Sequence, residues 1–300
     1  MDKLFLNKAL LEFPGKMVTV NNHKMHVYSE GKGNFTLVFM SGSGTCSPMY
    51  DFKSLFSKMS DEYQIAVVEK AGYGFSEITN MSRDIDTVLY ETRTALKEAN
   101  IYPPYILFPH SMSCIEAFYW IQCYPDEVKA IIGIDPALPI HYEIWDINYS
   151  LKRMRFYSKI INKRLRLLRS IIASHLPPIK YNILEKPDKK ACLKISKHRI
   201  LTNDMINETL MVNENAKKIN ANALETVPML LFISNGKEVG MKEGEWEKSF
   251  TTYTKELNVQ IVQLNAGHYL HDVLPEEIAN RSRIYIEEIE KVNPKTSGES

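Results

Sequence analysis

Residues Tyr105-Ile106-Leu107-Phe108-Pro109-His110-Ser111-Met112-Ser113-Cys114-Ile115-Glu116 decide how the rest of the chain is read. Ile106, Leu107 and Phe108 form a short apolar run of strand type, and Cys114, Ile115, Ala117, Phe118 and Trp120 begin a helical pattern. Ser111 stands at the turn between them. Two readings follow from that position. The hydroxyl can cap the helix that follows. Alternatively, a sharp strand-to-helix turn lifts the serine clear of a sheet as a nucleophile, and the N–H of Met112 then points at the oxyanion that attack creates.

Composition narrows the classes that this turn can belong to. With 300 residues and 44% hydrophobic content the chain can bury a large core, so a folded domain with or without an insertion is expected, and disorder is not. A net charge of +1, with no basic run interleaved with aromatics, speaks against nucleic acid as a partner. Cys46, Cys114, Cys123 and Cys192 show neither C-x-x-C spacing nor the density of a disulfide scaffold, so they are expected to be buried small hydrophobes in a reducing compartment. The stretch Met1 to Phe13 carries charges within its apolar run and does not read as a signal peptide. No window reaches the about 18 apolar residues of a membrane span, so a cytoplasmic location without stable membrane insertion is expected. Oligomeric state is not legible.

Outward from the central turn, strand and helix patterns alternate. Residues 17–29 alternate around Asn21-Asn22 as a hairpin. Thr36–Met40 is an apolar strand followed by the glycine-rich Ser41-Gly42-Ser43-Gly44-Thr45, and a helix is expected at about 48–60. Ile65–Val68 is a further buried strand, and Ser82–Asn100 is an amphipathic helix with Ile85, Val88, Leu89, Thr92 and Leu96 on one face. A sixth strand runs from Val128 and ends in the carboxylate Asp135. Two more strands, 228–234 and 259–264, follow a long gap, and a closing helix covers Pro275–Val292 before a polar tail expected to be disordered. Such alternation predicts an α/β fold with a mostly parallel sheet, and ligands bind at the carboxyl ends of its strands. Ser43, Ser111 and Asp135 all fall at such ends.

Between about 140 and 223 the strand pattern lapses into helices punctuated by Pro177, Pro178 and Pro187, too long a segment for a structureless loop. Residues 151–170 contain eight Lys or Arg and no acid, with Met154, Tyr157, Ile161, Leu165, Leu168 and Ile172 at helical spacing. A helix with a solvated basic side accounts for this pattern, and so does a face for a membrane surface or an acidic ligand.

Several of these stretches resemble the α/β-hydrolase superfamily. Pro109-His110-Ser111-Met112-Ser113 is similar to its G-x-S-x-G elbow with both glycines replaced, and Ser41-Gly42-Ser43 occupies the place of its His-Gly-x oxyanion loop. Glu69 to Ser76 resembles the D-x-x-G-x-G-x-S turn, where Glu69 reads as structural. Ala266-Gly267-His268-Tyr269 stands where the superfamily keeps its catalytic histidine. The resemblance covers roughly residues 15 to 292. It implies an eight-stranded α/β-hydrolase core at 1–139 and 224–300, with helices on both faces and a helical cap at 140–223 inserted after strand six.

It also implies roles. Ser111 is the nucleophile, His268 the general base, with His271 as a competitor, and the N–H groups of Met112 and Ser43 hold the oxyanion. The acid is open between two residues. Most members place it after strand seven, where only Glu238 is acidic, whereas the haloalkane dehalogenase branch takes it from the end of strand six, here Asp135. Those dehalogenases use an aspartate nucleophile, so Ser111 points away from halide chemistry and toward an acyl-enzyme. The function expected is a serine hydrolase, carboxylesterase-like, cleaving a small or medium acyl ester, amide or thioester as its small-molecule substrate, with no cofactor and no metal. An aminopeptidase-type hydrolase and a non-catalytic ligand-binding module on the same fold are the alternatives.

Overall fold

The computed structural model describes residues 14–163, 166–224, 227–242 and 244–292. The N-terminal stretch Met1 to Phe13 and the tail at 293–300, expected to be disordered, lie outside the described residues. Eight strands form one sheet: β1 (Lys16–Val20), β2 (His23–Glu30), β3 (Thr36–Met40), β4 (Gln64–Glu69), β5 (Tyr105–Pro109), β6 (Val128–Ile134), β7 (Met229–Ile233) and β8 (Val259–Gln263). Their order is β1-β2-β4-β3-β5-β6-β7-β8. The β1–β2 and β2–β4 pairs are antiparallel and the other five are parallel. Asn21 and Asn22 both take positive φ, which a tight turn between β1 and β2 requires and asparagine tolerates.

The continuous apolar runs of β3 to β7 have a physical reason. Each of these strands is covered on both faces, so neither parity of residues can be polar. Phe39, Phe108, Ile132 and Phe232 pack on one face with Phe52 and Phe56. Val38, Leu107, Ile131 and Leu231 pack on the other with Trp120, Trp246 and Phe250. β8 is an edge strand without buried residues, and its Gln260 and Gln263 stand exposed.

Short helices α1 (Pro48–Asp51) and α2 (Lys53–Phe56) replace the single helix expected at about 48–60. The chain bends at Phe52, whose ring is fully buried against Phe39 and His271. Helix α3 (Ile85–Glu98) is capped by Asp84, whose side chain accepts from the Thr87 N–H at 3.0 Å. Helix α4 (Ser113–Cys123) follows β5. Cys46, Cys114 and Cys192 are buried as expected, but Cys123 lies exposed on the last turn of α4, where the helix face turns from the core to solvent.

Six α-helices lie between β6 and β7 among the described residues: α5 (His141–Ile144), α6 (Ile147–Lys163), α7 (Arg166–Ser174), α8 (Pro177–Lys180), α9 (Lys186–Arg199) and α10 (Asn203–Lys217). Helices α11 (Glu245–Tyr253), α12 (Leu270–Val273) and α13 (Pro275–Val292) complete the chain. The basic stretch 151–170 thus divides between α6 and α7, and Tyr157 is 44% exposed instead of lying on the packed face with Ile161. Leu151, Ser158 and Ile161 form the buried side of α6, which packs against α10. No helix among the described residues is long and apolar enough to cross a membrane.

Candidate active site

The chain runs from β3 to β4 on one side of the sheet and then to β5 on the other, so the strand order reverses at β3 and β5. Loops diverge there and leave a crevice at the carboxyl ends. The serine turn sits in that crevice. Ser111 takes φ 56°, a left-handed conformation that costs a non-glycine residue of order 1–3 kcal/mol. The surrounding bonds hold it there: Ser111 donates its N–H to Ile134 O at 3.3 Å and its carbonyl accepts from Ala137 N at 2.9 Å. His110 N–H donates to Met40 O at 3.0 Å.

Both replaced glycines of the elbow find explanations in this geometry. Ser113 Oγ donates toward Met40 O at 2.7 Å and lies 2.9 Å from His110 O, tying the first turn of α4 to the ends of β3 and β5. Pro109 lacks an N–H, but that donor would face β6, whose register with β5 ends at Leu107–Ile131 before one isolated bridge at His110–Ile134. The glycine retained nearby is Gly42. A Cβ there would stand 2.8 Å from Ser111 Cβ and 3.0 Å from His110 O, so a side chain would push the 41–45 loop away from the serine.

His268 follows β8 and turns its ring toward the end of β6. Its Nδ1 lies 2.6 Å from Asp135 Oδ2. Asp135 is fully buried at φ 41°, and its Oδ1 accepts from Ser234 N–H at 2.7 Å and Trp246 Nε1–H at 2.9 Å. These bonds fix the carboxylate plane and place the Nδ1 proton of His268, leaving Nε2 as the basic nitrogen. Glu238 is differently placed. Its Oε2 accepts the backbone N–H of His268 at 2.7 Å, and the carboxylate lies where a Cβ on Gly267 would be, at 2.4 Å. Asp135 therefore meets the ring and Glu238 the backbone. His271 faces elsewhere, with Nε2 at 3.1 Å from Asp51 Oδ2. Ser111 Oγ makes no hydrogen bond among the described residues, and the N–H groups of Met112 and Ser43 have no acceptor there.

No protein-family model matches the chain. Uncharacterized protein YbdG of Bacillus subtilis (strain 168) is 36% identical over 292 residues, which cover 95% of this chain and 90% of that protein. The two belong to one family. Among solved structures, epoxide hydrolase VrEH1 from Vigna radiata superposes with a TM-score of 0.72 at 18% identity, covering 93% of this chain and 99% of that one. The DbeA-M1 loop variant of haloalkane dehalogenase from Bradyrhizobium elkanii gives 0.64 at 16% identity, covering 92% and 97%. The YbdG family therefore has the α/β-hydrolase fold.

Around the site the YbdG-family chain carries groups that the sequence reading missed. Trp246 donates to Asp135 and stacks on His141 at 4.4 Å between ring centroids, and His141 Nε2 lies 2.8 Å from Ser249 Oγ. Burial pulls the His141 imidazole down to about 4, so it stays neutral beside the tryptophan. His110 packs its ring 4.6 Å from that of His268, and its Nε2 lies 3.2 Å from His268 O. Burial, then the neighbouring His268 and His271, hold the His110 imidazole well below its ordinary value. Asp51, His110 and His271 offer metal-ligand donor types within 4.8 Å of one another, but the Asp51–His271 contact is already a hydrogen bond.

The helices between β6 and β7 reach the same crevice. Glu208 of α10 pairs with Lys70 and accepts from Tyr73 Oη, and Tyr73 Oη in turn accepts from Gly44 N–H at 3.4 Å. Thr209 Oγ1 lies 3.2 Å from Ser43 Oγ. Beside Met112 a cavity of about 20 Å³ is lined by the apolar Ile85, Val88, Ile115 and Val212 and by the polar Ser113, Glu116, Glu208 and Asn215. Glu69 accepts from Phe75 N–H at 2.6 Å and lies 3.0 Å from His26 Nδ1, so it fastens the turn after β4 and lies outside the chemistry. No sequence signal marked Trp246 or Glu208, because each is defined by what it touches across more than a hundred residues.

Proposed function

We propose that the chain is a serine hydrolase acting on a small or medium acyl ester, with amides and thioesters as chemical relatives. Ser111 attacks the acyl carbon while His268 Nε2 takes its proton, and Asp135 orients His268 and stabilises the imidazolium. The N–H groups of Met112 and Ser43 bind the oxyanion. His268 then returns the proton to the departing alkoxide, and water releases the acyl group by the same steps in reverse order. The insertion at 140–223 acts as the cap over this crevice. The observation that carries the reading is the 2.6 Å contact of His268 Nδ1 with Asp135, at a strand end adjoining a serine held at positive φ.

Hydrolysis of p-nitrophenyl esters from acetate to decanoate tests the reading. Turnover lost in Ser111→Ala is expected, together with labelling of Ser111 by a fluorophosphonate, and the chain length turned over fastest sizes the acyl site. Wild-type turnover equal to that of Ser111→Ala across the series, without labelling, would overturn the reading in favour of a ligand-binding module.

A further inference from the structure

The charge of this protein is segregated. Residues 140–223 hold 17 Lys and Arg against 7 Asp and Glu, whereas the remainder holds 20 against 29. A net charge of +1 for the chain hides this division. The excess is displayed on helices. On α6, Lys152, Arg153, Arg155 and Lys159 are exposed, and none of them pairs with a carboxylate among the described residues. On α9, Lys186, Lys190 and Lys194 recur every four residues along one face.

Cations alone would describe a solvated helix. The apolar side chains among them do not fit that description. Phe156 is 61% exposed and Tyr149 59% exposed on the same side of α6, opposite the buried Leu151, Ser158 and Ile161. Phe156 is four residues from Lys152 and three from both Arg153 and Lys159, so its ring stands at the centre of a cationic ring on the helix surface. Arg153 lies over the Tyr149 ring at 5.6 Å, and Tyr157, 44% exposed, extends the apolar centre at its margin. Water is a poor environment for this centre, and no other part of the described chain covers it.

We propose that the solvent face of α6 docks the protein on an anionic lipid bilayer. A convex single-helix face with an aromatic centre and a cationic rim suits a plane whose surface is negative and whose interior accepts rings at the headgroup boundary. Phe156 enters that boundary, while Lys152, Arg153 and Lys159 meet lipid phosphates. A single strand of nucleic acid would instead need a groove with stacked aromatics. The attachment is peripheral, held by one helix face and by charge. It places the insertion, and the crevice beneath it, next to the membrane surface.

Co-sedimentation of the full chain with vesicles tests this directly. Vesicles of phosphatidylcholine mixed with phosphatidylglycerol should retain the protein at low salt, and vesicles of phosphatidylcholine alone should not. Retention should fall as salt is raised. The triple variant Lys152→Glu, Arg153→Glu, Lys159→Glu should lower the partition coefficient more than about tenfold, as each lost cation removes a surface attraction. Phe156→Ser, which keeps every charge, should lower it about threefold or more. Circular dichroism and thermal melting confirm that both variants remain folded; should the triple variant not fold, Phe156→Ser and the salt series carry the test. Absence of binding to the anionic vesicles, equal binding by folded variants, or tighter binding to duplex DNA than to vesicles would overturn the proposal.

Discussion

The loops after β6 and β7 each bring a carboxylate to His268, and they do so in different ways. Asp135 ends a central strand whose backbone is hydrogen-bonded to β7, with Asp135 N–H donating to Phe232 O at 2.7 Å. Its side chain is fully buried and accepts from a backbone amide, an indole and the imidazole. Glu238 lies in a single turn at 237–239, flanked by Gly236 and Gly240 at positive φ, on the rim of the sheet. Among the described residues it bonds to the His268 backbone N–H and not to the ring. A carboxylate can orient a base when its own position is over-determined, and the strand end supplies that whereas the rim turn does not.

The largest expected effect separates these two carboxylates. Asp135→Asn should lower kcat for ester hydrolysis by about 10³- to 10⁴-fold, because the amide disfavours the tautomer that leaves His268 Nε2 basic. A loss below about tenfold would remove Asp135 from the mechanism. A third carboxylate shows what burial does with fewer partners. Glu116 accepts from Thr92 Oγ1 at 2.6 Å, and burial pushes its carboxyl up from 4.5 to about 7. Because the folded value lies above the unfolded one, the stability it contributes is present below pH 4.5 and is lost as pH rises toward 7. Glu116→Gln should flatten that part of the pH–stability profile, by an amount on the order of 3 kcal/mol in urea titrations. An unchanged profile would show that Glu116 ionises freely in the fold.

Smaller effects sharpen the comparison. Trp246→Phe removes one of the three donors on Asp135 while keeping an aromatic ring in the core, and a hydrogen bond to a charged acceptor contributes about 1.5–3 kcal/mol. The expected result is roughly a tenfold or greater fall in kcat/KM with KM little changed. A change in thermal stability alone would confine Trp246 to packing. Glu238→Gln keeps an acceptor for the His268 N–H and should cost less than about threefold in activity. A loss as large as that of Asp135→Asn would reverse the assignment of the two loops.

Much of the sheet was legible because its strands are buried on both faces and therefore read as unbroken apolar runs, as Thr36–Met40 and Met229–Ile233 do. The serine turn was legible because a strand pattern and a helix pattern meet at Ser111, and His268 because Ala266-Gly267-His268-Tyr269 resembles the histidine stretch of the superfamily. Other features were not. The bend at Phe52 and the exposure of Cys123 and Tyr157 depend on which neighbour covers each side chain, and periodicity records only that a face exists.

The sequence by itself therefore determined the succession of strands and the serine-bearing turn, and its resemblance to the α/β hydrolases pointed to His268 and to two candidate acids. Only the tertiary structure decided between the faces those acids present to His268, brought Trp246 behind Asp135, and seated Glu208 of the insertion on Lys70 and Tyr73. The reason is physical. Local residue type sets the conformation of a strand, a turn or a helix, whereas the direction of a carboxylate is set by donors that come from segments far away in the chain.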